Sequence, residues 1–343
     1  MVEKLLLGIS YPLQITRHLK DDFEDIKNSG VNSILLAVSE DSLAYNFEGV
    51  KHAIKLAKEF FDYVSLNFWA MGGIFGGEAS SYFLQRYSGE AQKFNISKGA
   101  EGAVCPQSKI FKKYFFDLIK RIIEETEVDE IFIDEPHWPT FRGKMRKIDD
   151  SIFSCICEKC RKRFFEENGF NIPLNEAEKG WSEFVLYRKK IMMEFLKDIV
   201  KNIKSCARDV NVNLCIHPKD NWVYGSPKLE DVIAIKGVDI ISIDPYHFKF
   251  KREEGKKYVL SQVRNILNVA TKERKDVQVW IQGFKVPSGR ESEVGEIVEM
   301  IHNEGVCNIQ FWSYGNEAFS LIVSDDFKKV WDSLKRSYLK LKG

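Results

Sequence analysis

The chain has 343 residues and 44% of them are hydrophobic, enough for a large core built as one barrel or two ordinary domains. Its basic and acidic residues balance to a net charge of +1, which argues against a nucleic-acid footprint or an acidic tail. No apolar run approaches the roughly 20 residues of a membrane span. The opening MVEKLLLGISYP has too short an apolar stretch for a signal peptide and carries an acid, so the expected setting is cytoplasmic.

Strand-length apolar runs recur, each followed by a helical pattern. KLLLGIS (4–10) comes first, and DDFEDIKNSG follows as a helix stopped by Gly30. VNSILLAVS (31–39) leads to the amphipathic FEGVKHAIKLAKEFF, and DYVSLNFWA (62–70) leads to a glycine-rich loop. That loop, Met71 to Glu90, carries aromatics and is expected to be a mobile lid. A periodic helix at 109–126 precedes EIFIDE (130–135). An insertion at 137–180 comes next, then a long helix at 181–208. Four more strands follow: VNLCIHP (212–218), VDIISIDPY (238–246), VQVWIQGF (277–284) and CNIQFWSYG (307–315). Helices fall between them and one closes the chain at 325–341.

Strands alternating with helices imply parallel pairing. Eight such units fit an α/β fold of the (β/α)8 TIM barrel type, a single domain over 1–343 with 137–180 inserted after strand four. An open doubly wound sheet is disfavoured, because no strand is followed by G-x-G-x-x-G and there is no P-loop.

Active sites of this barrel lie at the C-terminal ends of the strands. Those ends carry Tyr11, Ser39, Asn67 and Trp69, Asp134 and Glu135, His217, Asp244 and Tyr246, Gln282, and Trp312 and Tyr314, whereas the opposite ends read as plain. Side chains alternate across a strand, so Asp134 shares the inward face of Phe132 and Asp244 that of Ser242. Cys215 pairs in the same way with His217, Trp280 with Gln282, and Gln310 with Trp312. Asp134, Glu135 and Asp244 are then the acids expected to converge as catalytic groups. Paired carboxylates with aromatic walls suit glycoside hydrolysis, one acid protonating the leaving oxygen while the other attacks or activates water. The expected substrate pocket is lined by Asn67, Trp69, His137, His217, Tyr246, Trp280, Gln282 and Trp312, and Trp138 is a fourth candidate for stacking on a sugar. Two other classes compete. One is a metal-dependent hydrolase of the amidohydrolase type built on His217, His247, Asp134 and Asp244, although no H-x-H lies on the first strand. The other is a non-catalytic or degenerate carbohydrate-binding barrel.

Seven cysteines, three of them within CICEKC, do not make a secreted disulfide framework; clustered thiols in a reducing compartment more often mean a metal. Cys206, Cys215 and Cys307 are expected to be buried and inert.

The acid pair ending strand four, followed by CICEKCRKRF, resembles the beta-galactosidases of glycoside hydrolase family 42. Those proteins carry a zinc site of four thiols, one before strand four and three after it. The resemblance implies that Cys105 in AVCPQS joins Cys155, Cys157 and Cys160 in holding a structural Zn2+. It implies that Glu135 is the acid/base, with carbohydrate as the substrate; a homo-oligomer is compatible with it, and neither membrane nor nucleic acid is expected as a partner. The match is incomplete. Gln282 stands where the family has its nucleophilic glutamate, and the family's trimerisation and C-terminal domains have no counterpart. Asp134 and Asp244 occupy the strand-four and strand-six positions that melibiase-type barrels use.

Overall fold

A computed structural model describes residues 4–13, 16–77, 80–96, 100–140, 148–217, 222–315 and 323–343. Eight parallel strands close a barrel in sequential order: β1 (Leu6–Pro12), β2 (Ser33–Val38), β3 (Tyr63–Phe68), β4 (Glu130–Ile133), β5 (Asn211–Cys215), β6 (Ile240–Ile243), β7 (Asp276–Gln282) and β8 (Asn308–Trp312). All eight lie on the apolar runs in the sequence, with ends within three residues of them. Pairing of Gly8 with Gln310 between β1 and β8 completes the ring. The TIM barrel expected from the alternation is therefore the fold. Among the described residues, no helix is long and apolar enough to cross a membrane.

Alternation divides each strand between two environments. Ile131 and Ile133 of β4, Val212 and Leu214 of β5, and Val279 and Ile281 of β7 join the main core against the helices. Phe132, Cys215 and Trp280 face the barrel axis and form a separate cluster with Leu35 and Ala37. Beneath that cluster the interior is polar. Glu130, the first residue of β4, is fully buried and accepts from Asn213 (3.1 Å) and Tyr63 (3.0 Å). Asn213 also donates to Gln278 (2.9 Å) and accepts from Ser242 (2.7 Å), and Gln310 donates to Asn308 (2.8 Å) and Ser33 (3.3 Å). Gly8 leaves the room that Gln310 needs, since a Cβ there would lie 1.9 Å from its Oε1. The N-terminal half is thus not plain, as the strand ends suggested. A barrel this narrow must fill its centre with side chains, and most of these polar atoms are tolerated because they bond to one another, the Gln310 Oε1 excepted.

The loop after β3 is not a free lid. Buried Glu40 accepts from Gly72 N–H (2.6 Å), Phe83 N–H (2.5 Å) and the Ser81 hydroxyl (2.9 Å). Met71, Ile74, Phe75 and Phe83 are buried beneath it. An antiparallel hairpin, Ala91–Lys93 with Ala100–Val104, continues this loop and meets the insertion at a bridge from Phe94 to Ser154. In the insertion a helix spans Glu158–Asn168 and ends on Gly169, whose φ of +79° suits glycine. The long helix Trp181–Cys206 buries Phe184, Arg188, Ile191 and Phe195 at helical spacing.

Candidate active site and thiol cluster

Asp134 and Glu135 follow β4 directly, and consecutive strand residues normally point to opposite faces. Here Glu135 has a φ of +35°, a region that non-glycine residues seldom adopt. The kink breaks the alternation and brings both carboxyls to the barrel mouth. Cys215 O receives the Glu135 N–H at 3.1 Å, which holds the kink in place. Asp134 is seated against Gly76, where a Cβ would fall 2.6 Å from Oδ2. From the other side comes Asp244, one residue past β6, its carbonyl bonded to Tyr246 N–H (2.6 Å).

Burial first, and the Glu135 charge next, push Asp134 up to about 8, while the Asn67 amide beside it works the other way. Asp244 rises well above the carboxylate range through burial, the charges of Glu135 and Asp134, and a hydrogen bond with Glu135. Beneath them the Cys215 thiol is pushed up by burial and by the same acids, so it is a neutral floor. Asp134 and Asp244 therefore hold their protons well above the ordinary carboxylate range.

Aromatic rings wall this group. Trp280 meets Phe132 edge-on at 5.3 Å and Trp312 at 6.1 Å, and Trp69, Tyr246 and Trp312 pack around the axial cluster while keeping exposed edges. His217 Nε2 lies 3.9 Å from Glu135 Oε1, and its ring stacks on Tyr224 at 4.6 Å. His137 turns Nδ1 onto Glu135 O (2.6 Å) and presents its ring edge-on to Tyr224. Asn67, Trp69, His217, Tyr246, Trp280 and Trp312 thus gather with the acids. Tyr224 is a mouth residue that strand-end reading missed, because it lies in the loop beyond β5; its signal is the aromatic pair in NWVYG.

Other candidates are placed elsewhere. Gln282 is buried, and its Oε1 accepts from His247 N–H (2.9 Å) and Phe248 N–H (3.2 Å) while its Nε2 donates to Phe284 O (2.9 Å). It ties two loops together rather than facing the acids. Trp138 is fully buried under Arg188 and Gly225 and has no face for a sugar. His247 is buried beside Glu293 (3.8 Å). Among the described residues the four thiols are the one group of three or more ligating side chains close enough to share an ion, so His217, Asp134 and Asp244 make no such group.

Those thiols are Cys105, Cys155, Cys157 and Cys160, all buried. Their sulfurs lie within 4.8 Å of one another, with Cys105 to Cys160 at 3.7 Å and Cys105 to Cys157 at 3.8 Å. A tetrahedron with metal–sulfur bonds of about 2.3 Å has edges of about 3.8 Å, so the donor set fits Zn2+ in a closed site. Gln107 Nε2 donates to Cys160 Sγ (3.0 Å) and Lys93 N–H to Cys155 Sγ (3.5 Å), contacts that favour thiolate sulfur. Cys215 is buried as expected, but Cys206 and Cys307 are only half-buried.

No family model matches the chain, and no curated protein matches it in sequence. Solved structures match in fold. The catalytic domain of a beta-amylase from Paenibacillus polymyxa aligns with a TM-score of 0.67 at 12% identity, over 89% of this chain and 91% of that one. A beta-galactosidase from Marinomonas ef1 aligns at 0.74 and 10% identity, over 98% of this chain and 60% of that one, so this chain spans little more than half of it. A hyperthermostable endo-1,4-beta-D-mannanase from Thermotoga petrophila aligns at 0.63 and 10% identity over nearly the whole of both chains. What these matches share with this chain is the closed (β/α)8 barrel fold.

Proposed function

We propose that the barrel mouth is the active site of a glycoside hydrolase. The observation that carries this is the convergence of Asp134, Glu135 and Asp244 between aromatic walls. Two carboxyls across a glycosidic bond are the working parts of that reaction, one giving a proton to the leaving oxygen and one acting as base or nucleophile. Trp69, Tyr246 and Trp312 offer rings to the apolar face of a sugar. Burial makes Asp244 and Asp134 the groups that hold protons, so Asp244 is the better-placed donor. Glu135, beside His217, is then the attacking or base carboxylate. This reverses the role that the family 42 resemblance assigns to Glu135. Gln282 gives no support to a degenerate site, because its amide serves the backbone. The four thiols would hold a structural zinc that joins the insertion to the hairpin loop and takes no part in the chemistry.

The test is turnover on a panel of aryl glycosides of both anomers. Asp244→Asn should lose about 10²–10⁴ in rate on a poor leaving group, as loss of a proton donor commonly does, yet far less on an activated one. If Glu135→Gln shows that pattern instead, Glu135 is the donor. Folded wild-type protein that turns over none of the panel refutes the reading.

A further inference from the structure

Arg188 is buried to 1% exposure in the long helix, and among the described residues its hydrogen-bond partners are backbone carbonyls. One Nη donates to Trp222 O (2.7 Å) and the other to Val223 O (2.8 Å). Its guanidinium lies over Trp138 (5.2 Å) and Trp222 (5.5 Å). Trp138 fastens the same loop from below, donating its N–H to Tyr224 O (2.9 Å) and its indole N–H to Arg188 O (3.3 Å). Gly225 completes the seat, with a φ of +56° and space for no Cβ, which would fall 2.2 Å from Trp138 Cδ1. What this clamp presents to the mouth is Tyr224, stacked on His217 at an interplanar angle of 20°.

We infer that Arg188 is a positioning residue of the catalytic face: it fixes the Trp222–Gly225 loop, and through Tyr224 it sets the His217 ring that faces Glu135. A planar fork is what the place requires. It gives bonds to two successive carbonyls while lying over two indoles, which a lysine ammonium cannot do as well. Burying a cation is costly even with the Cys155 and Cys160 sulfurs nearby, and an arginine held there only for packing would be better replaced by an apolar residue of similar volume. The effect on turnover rests on the glycosidase reading; the effect on His217 does not.

The decisive measurement is the imidazole proton spectrum of the full chain. With six histidines, the His217 signal is identified by its loss in His217→Asn. The stacked Tyr224 ring displaces that signal, and Tyr224→Ala defines the displacement. Arg188→Met should abolish most of it with unfolding still cooperative. Arg188→Lys, the milder change should Met not fold, should behave like Met rather than like wild type. Gly225→Ala, which forces the loop away from Trp138, should do the same. On an aryl glycoside these variants should lose kcat on the order of tenfold to a hundredfold with KM little changed, as displacement of an active-site group does. A His217 signal at its wild-type position in folded Arg188→Met or Arg188→Lys protein overturns the inference. Because the spectrum is read without substrate, wild-type protein lacking turnover would sink the glycosidase reading and leave this one to be judged on its own.

Discussion

Asp134→Asn tests the electrostatics of the mouth most directly. In the folded chain Asp134 is pushed from 3.8 up to about 8, chiefly by burial and then by Glu135. An acid raised in this way binds its proton more tightly folded than unfolded. Its contribution to stability is fully present below about pH 4 and is lost as pH rises through about 8. The step from 3.8 to about 8, at 1.36 kcal/mol per tenfold change in proton affinity, sets a ceiling of about 6 kcal/mol. Asp244 lies in the same buried cluster and does not titrate independently of it, so a realistic loss is about 2–4 kcal/mol. The asparagine variant keeps the shape and cannot ionise. It also relieves Asp244 of one neighbouring charge, which flattens the pH dependence further. Denaturant unfolding at pH 5 and pH 8.5 should show wild-type protein losing about 2–4 kcal/mol more than the variant. Buried Glu130, raised to about 7, adds a slope of the same sign to both proteins and cancels in the difference. Parallel stability curves for the two proteins would refute the account of three crowded carboxyls.

Two further outcomes are expected. Gln282→Glu should not raise turnover, because the side chain serves the backbone. Losing the bond to Phe284 O, and placing a carboxylate against that carbonyl, should cost about 1–3 kcal/mol in denaturant unfolding. Freshly purified protein should carry one zinc per chain by elemental analysis, and Cys157→Ser should abolish it and lower Tm by several degrees, because structural zinc binding is folding free energy.

Much of the fold could be read from the chain because burial on both faces writes strands as continuous apolar runs. What those runs hide is which polar residue interrupts them and where it points. Ser33, Ser65, Asn213, Gln278 and Gln310 each interrupt an apolar strand, and together they make the barrel floor. Parity put Asp134, Asp244, Trp280 and Trp312 around the axis. It misled for Gln282, whose side chain bends from the strand end to a neighbouring loop, because a strand end frees the backbone from the alternation. Glu135 reached the mouth through a positive φ that glutamate and proline do not announce. The loop after β3 looked mobile from its glycines. Those glycines instead allow close packing: Gly72 against Phe111, Gly76 against Asp134 and Gly77 against Trp69.

The floor and the mouth are one physical unit. Glu130 bonds to Asn213, Asn213 to Ser242, and Ser242 to the Cys215 thiol that lies under the acids. An apolar floor would have filled the axis by side-chain shape alone. The polar floor instead fixes each side chain by directed bonds, and Phe132 and Trp280 seal it from the mouth. That seal accounts for the burial of Asp134 and Asp244: their lower sides meet rings and a neutral thiol, so only the upper sides remain for a substrate. Carboxyls in a half-dry cup hold their protons until an acceptor arrives. The protonation that the proposed chemistry requires is therefore set as much by the strand interiors below the acids as by the loops around them.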